Sequence, residues 1–351
     1  MIIIDILCYN QYKHYEKLGE LMKKASMQDI ADALGISKNS VSQALRNKPG
    51  VSQQTKQLVK NKANELGYRY QTITEDTTMR FLLMATEFAF SQTSFFGEIV
   101  KSAESAAQQA HIKLDTYTLT DETLKQMILP EHINEYDGIL VLSHSNNDYI
   151  KQVIATGIPV TLIDHHDPEL LADAILSKNT DGTFQAISLL IANGMKRIGF
   201  IGDTSFSPSY LERYRGYHRA LAEHGISREP EIEITEIEES QGALFSRLKS
   251  IEQMPDAWFC VNSGLAFMLN SYLQSAGYTI PEDISIICFD ETEFTRMAVP
   301  RLTNVATNLE FMGQLAIRTL LHRINHPDEP IIHQQIVPEL NIWGSVRVDE
   351  E

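Results

Sequence analysis

The sequence predicts a small all-α module near the N-terminus and, after it, a much larger α/β body of parallel sheets flanked by helices. Three observations carry that prediction. Between Ser26 and Gly67, apolar residues recur at helical spacing in three short segments separated by turn residues. Beyond Met79, strand-like and helix-like segments alternate in two successive series, the signature of parallel sheets covered by helices. The charge divides at the same place: nine Lys or Arg stand against three Asp or Glu between Met22 and Tyr70, a net of +6 in a chain whose total is -16.

A chain of 351 residues exceeds the size at which one hydrophobic core keeps growing, so two or three compact units are expected. With 43% hydrophobic and 22% charged residues it has the balance of an ordinary globular protein, not a fibrous or disordered one. No run approaches the roughly 18 to 20 apolar residues that span a bilayer, so no membrane partner is expected. The apolar opening Met1 to Leu7 lacks the positive leader and small-residue cleavage site of a signal peptide, and a cytoplasmic location follows. Three widely spaced cysteines, Cys8, Cys260 and Cys288, form neither a disulfide framework nor a metal-ligand spacing. Cys260 and Cys288 fall in apolar strand-like runs and are expected to be buried thiols. Gly19 and Glu20 imply purine-rich codons just ahead of Met22, so translation is expected to start there, leaving 1–21 as an extension outside the native protein.

The first helix is announced by Met27, Ile30, Ala31 and Leu34 on one face, with Ser26 and Asp29 as an S-x-x-D capping box. Gly35 breaks it. Ser37 is placed to cap a second helix with Val41, Ala44 and Leu45 inward. Pro49 and Gly50 make the next turn, Ser52 caps a third helix, and Leu58, Val59, Ala63 and Leu66 are its expected inner face.

Three short helices with a tight glycine-containing turn between the first two form the helix-turn-helix pattern, whose second helix lies in the DNA major groove. A basic module on an acidic body is the charge footprint of such a nucleic-acid-binding head. Lys38, Asn39 and Gln43 then project outward. Asn and Gln make paired hydrogen bonds to adenine, and Lys donates to guanine acceptors or phosphate.

The run MQDIADALGISKNSVSQALRNKPGVSQQTKQLVKNKANELGY closely resembles the headpiece of the lactose-repressor (LacI/GalR) family of bacterial regulators. The match rests on A-D-x-L-G-I-S, V-S-x-A-L, V-S-x-x-T-K and E-L-G-Y. By position, the resemblance places Lys38, Asn39 and Gln43 at base-reading sites and Ser37, Ser40, Ser42 and Thr55 at phosphate-side sites, where hydroxyls fix register. It divides the chain into a headpiece over 22–70, a hinge over 71–79 and an effector-binding and dimerisation domain over 80–346. The hinge reads RYQTITEDTTMRF where the family carries N-x-x-A-R-x-L, and its Glu75 and Asp76 oppose phosphate. Less DNA bending by side-chain insertion is therefore expected than in the typical member.

In the body, RFLLMAT, KLDTYTL, DGILVLS and PVTLID are predicted as a first series of strands, and DAILSKN, RIGFIG, EIEITEI, AWFCVN and ISIICFD as a second. The two series resemble the lobes of a two-lobed type I periplasmic-binding-protein fold, which the family uses as its sensor. Open α/β sheets bind ligands beyond the carboxyl ends of their strands. Asn262 follows AWFCV, Asp290 ends ISIICF, and Arg213 lies in an R-x-x-G-Y segment after RIGFIG; by resemblance each grips a small effector. Phe95 and Phe96 match the family's aromatic pair at the cleft mouth, whereas 238–241 has no aromatic residue where many members stack one. Sugar, sugar phosphate and nucleobase remain open as effectors, with a sugar favoured by the family.

An enzyme is the first rival. His165, His166 and Asp167 suggest it, but adjacent histidines on an extended segment face opposite ways and no third metal ligand accompanies them, so no metal or other cofactor is expected. Neither G-x-S-x-G, a P-loop nor a dinucleotide fingerprint is present, so no catalytic residue is assigned. A transport-associated solute-binding protein, the second rival, would carry a secretion signal and no headpiece. The expected molecule is therefore a homodimeric repressor of double-stranded operator DNA, set by an effector between the lobes, with the N-terminal lobe carrying much of the dimer contact.

Overall fold

The computed structural model describes residues 26–45, 51–66, 68 and 78–348. The expected extension 1–21 and the hinge segment 71–77 lie outside the described residues. Two compact units divide between Thr78 and Met79.

Among the described residues the first unit holds three helices, α1 (Met27–Leu34), α2 (Lys38–Leu45) and α3 (Gln53–Glu65). Local chemistry sets each boundary. Ser26 Oγ accepts from the Asp29 amide at 3.3 Å while the Asp29 carboxylate accepts from the Ser26 amide at 2.7 Å, completing the capping box. Gly35, at φ +64°, ends α1 in a left-handed conformation that a side chain would strain. Ser37 Oγ accepts from the Ser40 amide at 3.0 Å to start α2, and Ser52 Oγ accepts from the Thr55 amide at 3.1 Å to start α3.

Ile30, Ala31, Val41, Ala44, Leu45, Val59, Ala63 and Tyr68 bury together as the core of this unit. The inner face of α3 differs from expectation: Val59 and Ala63 are buried, but Leu58 is 54% and Leu66 38% exposed, and Lys56 is buried in their place. Residues 56, 59 and 63 share one stripe, and Leu58 is turned about 100° from Val59 around the helix. Hydrophobicity alone chose the wrong pair.

The second unit carries two six-stranded sheets. The first contains β1 (Met79–Thr86), β2 (Ile112–Leu119), β3 (Gly138–Leu142), β4 (Val160–Ile163), β5 (Asp173–Ser177) and β11 (His333–Ile336), in the order β11-β5-β4-β3-β1-β2 and parallel throughout. The second contains β6 (Ile198–Ile201), β7 (Glu233–Ile234), β8 (Ala257–Cys260), β9 (Ser285–Phe289), β10 (Thr303–Ala306) and β12 (Glu339–Asn341), in the order β12-β10-β9-β8-β6-β7, with only β12 antiparallel.

Two strand assignments change. DAILSKN was expected in the second series, but its strand, β5, pairs with β4 in the first sheet. Both sheets use buried parallel strands of similar composition, so alternation counts strands without saying which sheet each one joins. EIEITEI shrinks to the two residues of β7, and β10, β11 and β12 were not foreseen. β11 is only half buried on alternate residues and has no strong apolar pattern to announce it.

The chain crosses between the sheets three times: after β5, after β10, and between β11 and β12. The crossings are tied to one another, since Thr307 Oγ1 hydrogen-bonds to Ser177 Oγ at 2.9 Å and the Lys178 amide donates to the Ile336 carbonyl at 2.9 Å. Cores lie on both faces of the first sheet, and a larger one, including Trp258 and Phe259, surrounds the second. Cys260 and Cys288 are buried free thiols, and burial pushes both of them up. Among the described residues no helix is long and apolar enough to cross a membrane.

Candidate functional site

On α2, packing decides what is left to face outward. Val41, Ala44 and Leu45 are buried, Lys38 and Asn39 are exposed, and Ser42 and Gln43 are half-buried. The Ser37 and Ser40 hydroxyls lie 2.8 Å apart, as do those of Ser52 and Thr55. Each pair keeps one hydroxyl proton to donate after satisfying the other, as a phosphate-side contact requires.

In the second unit the carboxyl ends of both sheets face one cleft. Its inner cavity, of about 130 Å³, is lined from the first lobe by Phe88, Phe95, Phe96, His144 and Asp164, and from the second by Phe206, Tyr210, Arg213, Glu239, Asn262 and Asp290. All five residues expected at the effector site line this cavity.

Arg213 lies on the helix Pro208–Glu223 and is 2% exposed. Its Nε donates to Asn179 Oδ1 at 2.9 Å, and Nη1 donates to the Val261 carbonyl at 2.5 Å and to Asp290 Oδ2 at 3.1 Å. Nη2 reaches Asp290 Oδ1 at 3.4 Å, and the guanidinium stacks 3.8 Å over Phe289. Most of this arginine is thus committed to holding the site together, and Nη2 keeps one donor spare.

Asn262 is similarly occupied. It caps the helix Ser263–Ser275 by accepting from the Leu265 amide at 2.8 Å, and its Nδ2 donates to Tyr210 Oη at 2.6 Å and Glu239 Oε2 at 2.8 Å. It positions Glu239 and Tyr210 more than it offers free polar atoms.

Phe88, His144, Asp164, Phe206, Tyr210 and Glu239 also line the cavity and were not foreseen from the sequence. Asp164 and His144 were within reach: they follow β4 and β3 as Asp290 follows β9, and the rule that singled out Asp290 applies to them. Asp164 and Asp290 even share the left-handed backbone, at φ +54° and +68°. The missing aromatic of 238–241 is supplied from elsewhere. Phe206 of the second lobe packs 5.5 Å from the Phe88 ring and 4.5 Å from the His144 ring of the first, and Tyr210 lies 5.2 Å behind it. Only the tertiary fold brings these rings together.

The electrostatics are acidic. Burial pushes the Asp164 carboxyl up to about 7, against the pull of Arg213 and with Asp290 and Glu212 adding to the rise. Its Oδ1 has no hydrogen-bond partner. Burial also raises Asp290, against Arg213, and raises Glu239. Burial lowers His144.

A second, wider part of the cleft, of about 760 Å³, is lined by His165, His166, Asp167, Glu212 and Arg215 among others. The adjacent histidines turn to different partners. His165 Nε2 lies 3.2 Å from Asn147 Oδ1 within the first lobe, and His166 Nε2 lies 2.8 Å from Glu212 Oε1 of the second.

A helix-turn-helix unit in one chain with a two-lobed α/β body that encloses a polar cleft defines a DNA-binding transcriptional regulator. Residues 26–71 match the family described as bacterial regulatory proteins, lacI family, and residues 187–346 match a periplasmic binding protein-like domain. The chain thus carries a segment similar to the helix-turn-helix domain of lacI-family regulators together with a periplasmic-binding-protein-like domain. It is 27% identical over 333 residues to the HTH-type transcriptional repressor PurR of Mannheimia succiniciproducens, covering 92% of this chain and 99% of that one. It is 27% identical over 315 residues to the ribose operon repressor of Haemophilus influenzae, covering 87% and 93%. Its fold is similar to that of the lac repressor dimer bound to operator and the anti-inducer ONPF, with a TM-score of 0.67, 19% identity, and 92% and 99% of the two chains covered. It is also similar to a complex of the transcriptional regulator CelR with cellobiose, with a TM-score of 0.66, 22% identity, and 92% and 100% covered.

Proposed function

We propose that this protein is a homodimeric repressor that reads operator DNA with α2 and is controlled by a small, uncharged, hydroxyl-rich molecule bound between its lobes. The observation that carries the DNA reading is the division of α2: Val41, Ala44 and Leu45 are sealed in the core while Lys38 and Asn39 stand exposed. Lys38, Asn39 and Gln43 are its base-reading residues, and Ser37, Ser40, Ser42 and Thr55 its phosphate contacts. One headpiece reaches too few phosphates and bases, and a dimer reads a palindrome.

The acidic cavity supports the effector class. Three carboxyl groups, Asp164, Glu239 and Asp290, face it with Arg213 as the single guanidinium among the described residues, and Arg213 is already paired with Asp290. A phosphate would meet acidic groups and no unpaired guanidinium, whereas hydroxyl groups hydrogen-bond to carboxyl oxygens and sugar rings pack on aromatic faces. Phe95 and Phe96, 4.9 Å apart edge to face, supply one such wall. The relatives named above are repressors, and on this reading the protein carries out no reaction and acts beside its DNA in the cytoplasm.

The test is a thermal-shift screen of the purified protein against neutral sugars, sugar phosphates and nucleobases, followed by operator titration with any hit. A ligand at 100 times its dissociation constant adds about 2.7 kcal/mol to stability. A neutral sugar that stabilises the protein and changes operator affinity supports the reading. Stabilisation by sugar phosphates alone would overturn the effector class, and failure to select any DNA sequence would overturn the regulator.

A further inference from the structure

We propose that His322, His326 and Glu329 form a binding site for a borderline divalent metal ion, zinc above all, at the C-terminal end of the helix Leu309–Asn325. In the sequence, the adjacent histidines after β4 are the more conspicuous metal-ligand candidates. The useful spacing is elsewhere: His322, in the last turn of the helix, and His326, its C-cap residue whose amide donates to the His322 carbonyl, have ring centroids 4.5 Å apart. Glu329 returns to both rings: its Oε2 lies 2.7 Å from His322 Nε2 and its Oε1 3.5 Å from His326 Nδ1. One ligand atom from each residue falls within 4.8 Å of the others.

Two imidazoles and a carboxylate are the donor set that suits zinc, with bonds of about 2.0 to 2.2 Å, and the set has too few oxygens for calcium or magnesium. Tetrahedral bonds of that length put neighbouring ligand atoms about 3.3 to 3.6 Å apart, a small adjustment for half-exposed side chains. The fourth position is left to water. The helix C-terminus adds the partial negative charge of its carbonyl groups, which favours a cation.

The loop that brings Glu329 back is held in place. Arg323 is paired with the buried Asp173, Nε to Oδ2 and Nη2 to Oδ1, both at 2.8 Å. The same guanidinium donates to the backbone carbonyls of Glu329 at 2.6 Å and Pro330 at 2.8 Å. The carboxylate is thereby presented to the histidines by a fixed backbone. A metal there clips the helix to the segment leading into β11, the strand before the third crossing between the lobes.

Tag-free, chelator-treated full-length protein would be titrated with ZnCl2 by calorimetry and with CoCl2 by visible absorption. We expect one ion per chain and the intense visible bands of four-coordinate cobalt, both lost in His322→Ala and in His326→Ala and weakened in Glu329→Gln. Because the three side chains are half-exposed, the metal-free variants should unfold at the wild-type temperature. The proposal is overturned if no ion binds, or if binding survives in a His322→Ala/His326→Ala double variant, which would place the metal elsewhere.

Discussion

His166, in the first lobe just beyond β4, meets Glu212 of the second lobe at 2.8 Å, and Glu212 in turn accepts from Asn179 Nδ2 at 2.9 Å, the residue whose Oδ1 accepts from Arg213 Nε. The contact between the lobes is therefore continuous with the buried Arg213–Asp290 pair that lines the inner cavity. The hydrogen bond to Glu212 raises His166, against its own burial. For Glu212, burial pushes upward but the hydrogen bonds from His166 and Asn179 win and hold it below the usual range. A raised histidine contributes stability that is present below its unfolded value and lost as pH rises through the folded one. A lowered carboxyl contributes stability that is present above its unfolded value and lost as pH falls through the folded one. The clasp should therefore be strongest between the two, at mildly acidic pH. Small-angle scattering should show the body opening above the His166 value in the wild type, with no such transition in His166→Ala.

Asp164 gives a second pH dependence of opposite origin. Its folded value of about 7 lies above the unfolded carboxyl value, so the folded state holds the proton more tightly. Stability from this group is complete below about pH 4 and is lost as pH rises through about 7. Asp164→Asn should flatten the fall in melting temperature between pH 5 and 8 and stabilise the protein at the upper end. An unchanged slope would show that Asp164 does not titrate in this range.

Arg213→Ala should destabilise the body by about 3 to 5 kcal/mol in chemical denaturation, because it leaves Asp290 buried without its partner. Asp290→Asn should be milder, since an amide still accepts from the guanidinium. Neither change touches α2, so operator binding at low temperature should persist in both while the response to effector is lost.

On α2, Asn39→Ala and Gln43→Ala should each relax operator preference at one position by roughly 1 to 3 kcal/mol. Lys38→Ala should weaken binding with some loss of base discrimination, and its salt dependence should fall by about one unit of slope if the side chain meets phosphate. Fluorescence anisotropy over a salt series with matched and mismatched operators separates the two effects.

Gly216 sits where the helices Asn179–Ala192 and Pro208–Glu223 touch, and a Cβ there would lie 2.4 Å from the Thr180 carbonyl oxygen. Gly216→Ala should cost about 1 to 3 kcal/mol through forced separation of the pair. Gly225→Ala is the control for crowding, because a Cβ there meets nothing within 4 Å, although its φ of +69° adds backbone strain. A larger loss at Gly225 than at Gly216 would show that backbone strain outweighs the close approach.

What the sequence by itself determined is whatever depends on neighbours along the chain. Caps, breakers and the helical spacing of Ile30, Ala31, Val41, Ala44 and Leu45 set the three headpiece helices and left Lys38 and Asn39 outside. Strand ends identified Asn262 and Asp290, because a residue just after a parallel strand must lie at the rim of its sheet. The tertiary structure decided what depends on distant partners. It put β5 in the first sheet, turned Leu58 outward, spent most of the Arg213 donors on Asn179, Val261 and Asp290, and set Phe206 between Phe88 and His144. Each of these is a choice among surfaces of similar hydrophobicity or among several polar partners. Close packing and hydrogen-bond geometry make that choice only once the three crossings have brought the two lobes together.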